Sequence, residues 1–194
     1  MLLNQEYLRQ TARISHMDSA YEQEHVLNEN RAIYFAQKTY DIFLSHSYLD
    51  HELVYTIVDL FNDAGYSVYV DWIIDEQLDR SKVDRQTSEI LRKRMDSSKG
   101  LAYVSTTNIA TSKWCPWELG YVDGKKCGRC AILPVVKTKH DEFKGQEYLS
   151  LYPYIDYAED SNSRKEFWVN DPQDREKYVS LRNWLNGSNP CKHT

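Results

Sequence analysis

The sequence predicts an α/β protein built on a doubly wound, five-stranded parallel sheet. Short apolar runs of strand length alternate with stretches whose apolar residues recur every three or four positions. Most of these units end at a glycine or a polar loop. Strand followed by helix, repeated along one chain, requires crossover connections, and these place a parallel sheet between two helical layers.

The first strand is Tyr40 to Ser45 (Tyr-Asp-Ile-Phe-Leu-Ser), a short apolar run with the length and composition of a buried parallel strand. Leu49, Leu53, Ile57, Leu60, Phe61 and Ala64 then share a helical face that stops at Gly65, a natural C-terminal cap. Tyr66 to Trp72 reads as the second strand. A helix from Ser81 to Ser98 presents Val83, Ile90, Leu91 and Met95 on one side, with Gly100 ending it. Leu101 to Ser105 is the third strand. Thr111 to Lys126 is a helix with Pro116 tolerated in its first turn, Ala131 to Val136 the fourth strand and Tyr152 to Tyr157 the fifth. In such sheets ligands bind beyond the carboxyl ends of the strands, here Ser45 to Tyr48, Asp71 to Asp75 and Ser105 to Asn108.

Two flanks complete the chain. Residues 1–38 form an N-terminal helical extension, with a capping-box pattern at Ser19 to Glu22 and Ala20, Leu27, Ile33 and Tyr34 loosely on one face. Residues 39–157 are the domain itself. Residues 158–194 are a C-terminal loop and helix: Glu159 to Lys165 is charged, and Asp171-Pro172 caps a helix carrying Tyr178, Leu181, Trp184 and Leu185 that stops near Gly187.

Composition removes several function classes. A length of 194 residues suits one domain. With 24 Lys+Arg against 29 Asp+Glu the net charge is -5, so no global basic field recruits nucleic acid. No apolar run approaches the roughly 18 to 20 residues that span a bilayer, and Met1 to Gln10 lacks the order of a signal peptide, so a cytoplasmic protein without membrane contact is expected. Cys127 and Cys130 make one C-x-x-C pair, but no second pair completes a zinc site, and the pair precedes a strand rather than opening a redox helix. Cys115, Cys127, Cys130 and Cys191 are expected as reduced structural thiols, with no metal.

The candidate chemistry lies at the strand ends. Ser45-His46-Ser47-Tyr48 contains no glycine, which excludes the dinucleotide fingerprint and the P-loop. A nucleotide would instead be held by hydroxyls (Ser45, Ser47, Tyr48) and aromatic faces (Trp72, Trp114, Trp117). The plainer alternative is that these serines cap helices and these tryptophans fill the core. A Ser-His-Asp hydrolase from Ser45 or Ser47, His46 and Asp71 is disfavoured: there is no G-x-S-x-G elbow, and neighbours on extended backbone point apart. The most specific segment is Ser112-Lys113-Trp114-Cys115-Pro116-Trp117-Glu118-Leu119-Gly120. Trp114 and Glu118 stand four apart near a helix N-terminus, so an indole and a carboxylate face one pocket. Ordinary charge complementarity with the helix dipole accounts for such a carboxylate equally well.

Tyr40-Asp41-Ile42-Phe43-Leu44-Ser45-His46-Ser47 followed by Asp50 resembles the opening box of Toll/interleukin-1 receptor (TIR) domains, especially bacterial ones. Trp114-Cys115 with Glu118-Leu119 is similar to the W-C-x-x-E-L segment of NAD-cleaving members. The resemblance spans residues 39–157 and implies the flavodoxin-like TIR fold, with NAD as substrate and no further cofactor. It implies that Glu118 is catalytic and that Trp114 shapes the nicotinamide-ribose pocket. Ser45, His46, Asp71 and Trp72 would then bind substrate from the strand ends. Tyr69-Val70-Asp71-Trp72 and Leu78-Asp79-Arg80-Ser81 occupy the second strand and its following loop, which departs from the family's glycine-containing pattern.

The resemblance further implies self-association through Trp72 to Ser81. It also implies a diffusible nucleotide signal read by a separate effector, as in the signal-producing component of Thoeris-type anti-phage defence. The chemistry fits: nicotinamide leaves from a cationic ring nitrogen and needs no general acid, so one carboxylate suffices. The competing expectation is a non-catalytic TIR interaction module; retention of Glu118 beside Trp114 favours the enzyme. A receiver-type phosphoacceptor is weaker, because Asp41 begins the first strand where an acidic pair should end it.

Overall fold

The structure, a computed structural model, describes residues 1–15, 39–75, 78, 83–141, 143 and 147–193. The capping box at Ser19 to Glu22, the face of Ala20, Leu27, Ile33 and Tyr34, and Asp79 to Ser81 lie outside the described residues. In chain order the elements are β1 (Leu3–Asn4), α1 (Gln5–Ser15), β2 (Tyr40–Ser45), α2 (His51–Asp63), β3 (Val68–Tyr69), α3 (Asp71–Ile74) and α4 (Arg85–Asp96). They continue with β4 (Ser98–Ser105), α5 (Cys115–Lys125), β5 (Cys130–Val136), β6 (Tyr154–Glu159), β7 (Lys165–Asn170), β8 (Lys177–Ser180), α6 (Leu181–Leu185) and β9 (Cys191–Lys192).

The sheet order is β3-β2-β4-β5-β6-β7-β8-β9, with β1 also on β5. From β3 to β6 every pairing is parallel, and β1 also runs parallel to β5, so among the described residues the parallel part holds six strands of a nine-stranded sheet where the sequence predicts five. The chain leaves β2 towards β3 and returns across it to β4, so right-handed crossovers put α2 on one face and α4 and α5 on the other. That reversal makes the carboxyl ends of β2 and β4 the topological switch point. The core is the apolar filling of these layers: Ile42, Phe43 and Leu44 of β2, Ile57 and Phe61 of α2, Leu91 and Met95 of α4, and Ala131, Ile132 and Leu133 of β5 are all buried.

The sheet is larger than expected at one end. β7, β8 and β9 extend it antiparallel. The C-terminal stretch is therefore part of the sheet rather than a loop and helix packed beside it. Lys165-Glu166-Phe167-Trp168-Val169 alternates, with Phe167 and Val169 fully buried between more exposed neighbours, a period of two that marks a strand. Phe167 stacks on Phe61 with ring centroids 4.2 Å apart. Asp171-Pro172 forms a turn instead of a helix cap: Asp171 Oδ1 accepts from the backbone amides of Gln173 and Asp174 at 2.8 and 3.0 Å. Tyr178 consequently lies in β8, and the helix begins only at Leu181, capped by Ser180.

Three further expectations shift. The second strand is only Val68–Tyr69, because the chain turns into α3 at Asp71. The helix placed over Ser81 to Ser98 is described from Arg85, where Asp84 accepts the Thr87 amide at 2.8 Å; Val83 lies outside it, 67% exposed. Gly100 does not end that helix but sits within β4, where a Cβ would meet Leu185 Cδ2 at 2.9 Å, the Arg129 carbonyl at 3.0 Å and Trp184 Cζ3 at 3.1 Å. Glycine is there for close packing. Gly65 behaves as expected, with φ +80 after α2.

All four cysteines are free thiols. Cys127, exposed, and Gly128 take φ 50 and 75 and turn the chain out of α5, while the Cys130 thiol, fully buried in β5, is pushed up to about 12 by burial and then by Asp123. Among the described residues no group of three or more His, Cys, Asp or Glu stands ready for a metal, and no helix is long and apolar enough to cross a membrane.

Candidate active site

Ser45, the last residue of β2, is fully buried and directs its hydroxyl across the switch point. There it donates to Glu118 Oε2 at 2.6 Å. Glu118 reaches this place from the first turn of α5, also with no exposed surface. Pro116 sits in that turn, where its missing N–H removes no helical bond, and the Glu118 amide donates to the Trp114 carbonyl at 2.8 Å. A carboxylate in this position faces the positive end of the helix dipole and accepts the Ser45 hydroxyl hydrogen bond.

Alternation sends His46 the opposite way from Ser45. Its Nδ1 lies 2.9 Å from the Leu44 carbonyl, and its Nε2 lies 2.6 Å from the Trp72 indole nitrogen. A carbonyl only accepts and an indole N–H only donates, so Nδ1 carries the proton, Nε2 is the acceptor and the ring is neutral. Asp71 Oδ1 stands 3.6 Å from Nε2, a contact that becomes an ion pair only if the imidazole is protonated. His46, Asp71 and Trp72 thus form one knot, placed by the early turn into α3.

Trp114, 6% exposed, packs edge-to-face on Trp117 with centroids 5.4 Å apart, and Trp117 stacks on Tyr121. Cys115, beside it, donates its thiol to the His46 carbonyl at 3.1 Å and so couples the start of α5 to the end of β2. Tyr103 of β4 is buried nearby; burial first, then Cys115, Tyr148 and Glu118, hold its phenol well above the usual range.

The structure therefore brings Ser45 and Glu118 into direct contact, gathers His46, Asp71 and Trp72 beside them, and sets Trp114 at the opening of α5. Sequence reasoning gave no site role to Asp50, Thr106 or Tyr103. Asp50 was visible as the acid after the first box, but its partners come from a loop 56 residues away. It also missed the clamp below α3, where Arg94 makes a two-toothed contact with Asp75 (2.8 and 2.8 Å) and Tyr69 donates to the same carboxylate at 2.8 Å. The Asp75 hydrogen bond raises the Arg94 guanidinium above its usual value. A cavity of about 310 Å³ opens elsewhere, among Phe143, Tyr152, Tyr154, Asp156 and Arg175, with none of these residues at the switch point.

The family model described as TIR domain matches residues 42–168. A probable 3' cyclic ADP-D-ribose synthase ThsB' from Bacillus cereus (strain MSX-D12) is 45% identical over 186 residues, covering 95% of this chain and 94% of that protein. A putative cyclic ADP-D-ribose synthase TIR2 from Cytobacillus dafuensis is 40% identical over 86 residues, 44% of this chain and 23% of that one. Among solved structures, the TIR domain of the Toll-related receptor TRR-2 from Hydra magnipapillata aligns at 17% identity and TM-score 0.43, over 60% of this chain and 82% of that one. The boxed motifs on the strand and helix that meet at the switch point, the family match over most of the chain and the full-length bacterial relative agree: this protein belongs to the TIR domain family.

Proposed function

We propose that this TIR protein cleaves the nicotinamide–ribose bond of NAD and releases the ADP-ribose part as a cyclic ADP-ribose-type signal in bacterial anti-phage immunity. The observation that carries the reading is the 2.6 Å contact between Ser45 and Glu118 at the switch point, on the two segments that carry the family motifs. The relatives named as cyclic ADP-D-ribose synthases support the same product class.

In this reading Glu118 is the catalytic carboxylate. As the nicotinamide nitrogen takes the bonding electron pair, positive charge grows on the ribose, and a carboxylate in a water-poor crevice stabilises it without reorganising. The leaving base is already cationic in NAD, so no acid has to protonate it, and one carboxylate does the work of a glycosidase pair. Ser45 occupies the side of Glu118 that the ribose hydroxyls need, and hands its hydrogen bond over to substrate. Trp114 lines the nicotinamide-ribose side. Asp71 and Trp72 approach from α3, and His46, with both ring nitrogens engaged, holds Trp72 in place. Closure by a nucleophilic atom of the ADP-ribose itself gives a cyclic product; water gives linear ADP-ribose. NAD is consumed as substrate and no separate cofactor enters the step.

Glu118, Ser45 and His46 are buried in the single chain, so substrate entry requires the covering segments to move apart. Self-association through the edge around α3 supplies a force for that opening, and a separate effector then reads the product. Incubation with NAD and mass spectrometry of the products tests the reading: nicotinamide appears together with a cyclic product, and both vanish with Glu118→Gln. Release that survives Glu118→Gln and Glu118→Ala rejects the assignment. Activity per molecule should rise with protein concentration.

A second reading, a non-catalytic interaction module, is favoured by the exposed apolar side chains beside the crevice, Tyr48 at 73% and Leu49 at 62%. Self-association without nicotinamide release at any concentration selects it.

A further inference from the structure

Asp50 occupies the N-cap position of α2, where an aspartate ordinarily accepts an amide of the first helical turn. Here its side chain makes no such bond, whereas Asp84 caps α4 in the ordinary way. Only 2% of Asp50 is exposed, and both its oxygens are turned across the crevice to the loop after β4. Thr106 Oγ1 donates to Oδ2 and Asn108 Nδ2 donates to Oδ1, each at 2.6 Å. A carboxylate only accepts, so the Asn108 amide must present its nitrogen. The Asn108 backbone amide in turn donates to Thr106 Oγ1 at 3.0 Å, closing a ring of three residues.

That ring continues to the catalytic helix. Thr111 donates twice to the Asn108 carbonyl, from its amide at 3.1 Å and its hydroxyl at 2.8 Å. The Ser112 amide donates to the Ile109 carbonyl at 3.0 Å, and Ser112 Oγ accepts from the Cys115 amide at 3.2 Å. Cys115 opens α5, and Glu118 follows within one turn. Hydrogen bonds joined through chain neighbours thus run from Asp50 to Cys115 at the start of α5, one turn before the residue that faces Ser45. A buried carboxylate loses hydration and gains stability only by good geometry, so its return here is directional: it fixes one loop against another.

We propose that Asp50 is a positioning residue: through Thr106 and Asn108 it sets the start of α5, and hence Glu118, against the end of β2. The inference rests on the NAD-cleaving reading for its kinetic consequence and stands on structure alone for the loop it holds. Misplacement of a reacting group by about 1 Å lowers turnover on the order of a hundredfold with little change in binding.

The test pairs kinetics with hydrogen–deuterium exchange on the full chain. Asp50→Ala is expected to lower kcat by about ten- to a hundredfold with KM within about threefold, and to speed exchange across 106–118. Asn108→Ala, at a partly exposed residue, should do the same more mildly and fold readily. Asp50→Asn, with the Asn108 amide flipped to accept, regains two neutral bonds and should restore kcat to within about threefold of wild type. Combining Asp50→Ala with Asn108→Ala should be no worse than Asp50→Ala alone. A folded Asp50→Ala protein with wild-type kcat, or with unchanged exchange over 106–118, overturns the proposal. If the wild type releases no nicotinamide, the functional reading fails, and exchange still decides whether Asp50 holds the loop.

Discussion

The two ends of the sheet are built on opposite principles. At the switch point the interior is polar: Ser45, His46, Ser47, Asp50, Asp71, Thr106 and Glu118 are all buried there, more than half of the twelve described polar or charged residues so placed in the chain. At the antiparallel end the interior is almost wholly apolar: Phe167, Val169, Val179, Leu181 and Trp184 are buried, with Phe167 stacked on Phe61 and Trp184 close to Gly100 of β4. Burying a polar group is unfavourable unless each donor and acceptor is matched, so the first region spends stability on orientation and the second supplies it.

The largest expected effect separates the two ends most sharply. Glu118→Gln should cut nicotinamide release by at least about a thousandfold, while the melting temperature stays level, because the side chain's shape and its acceptor for the Ser45 hydroxyl are kept. Parallel loss of stability would mean that Glu118 is a structural acid and would break the contrast. Phe167→Ala should do the reverse, lowering unfolding free energy by about 3 to 5 kcal/mol in denaturant titrations and leaving turnover per folded molecule unchanged.

Gly100→Ala probes the junction between the halves. Its Cβ would lie 3.0 Å from the Arg129 carbonyl and 2.9 Å from Leu185 Cδ2, and a backbone oxygen yields little. A destabilisation of about 1 to 3 kcal/mol is expected, with α6 loosening first in hydrogen exchange. The smallest effect belongs to Asp41 at the opposite end of β2. Burial pushes its carboxyl up, but hydrogen bonds from Lys99 and Ser67 outweigh that and hold it below the usual carboxylate range. Its contribution is therefore complete above the unfolded pKa and fades as pH falls through the lower folded one, so Asp41→Asn should shallow the acid limb of a melting-temperature profile below about pH 4.

Local patterning carries far along this chain and then stops. Tyr40 to Ser45, the helix that ends at Gly65 and the strand before Val136 are readable because periodicity, length and a glycine cap all speak of the same few residues. The motif around Trp114 and Glu118 is readable because Pro116 and a spacing of four fix which residues share a helical turn. Asp71 misleads because a two-residue strand bound by its neighbours needs no longer run of its own, and Asp171-Pro172 because the same dipeptide serves turns and helix starts.

By itself, then, the sequence determined the alternation of strands and helices behind the parallel core, since this follows from short-range order, and its resemblance to the TIR boxes pointed to Glu118 as the acid. Only the tertiary structure decided that Ser45 meets Glu118 across 73 positions, that Asp50 abandons its own helix to hold the opposite loop, and that the last strands complete the sheet. Hydrogen bonds between distant segments depend on where the whole core lets each backbone lie, and no local pattern encodes that distance.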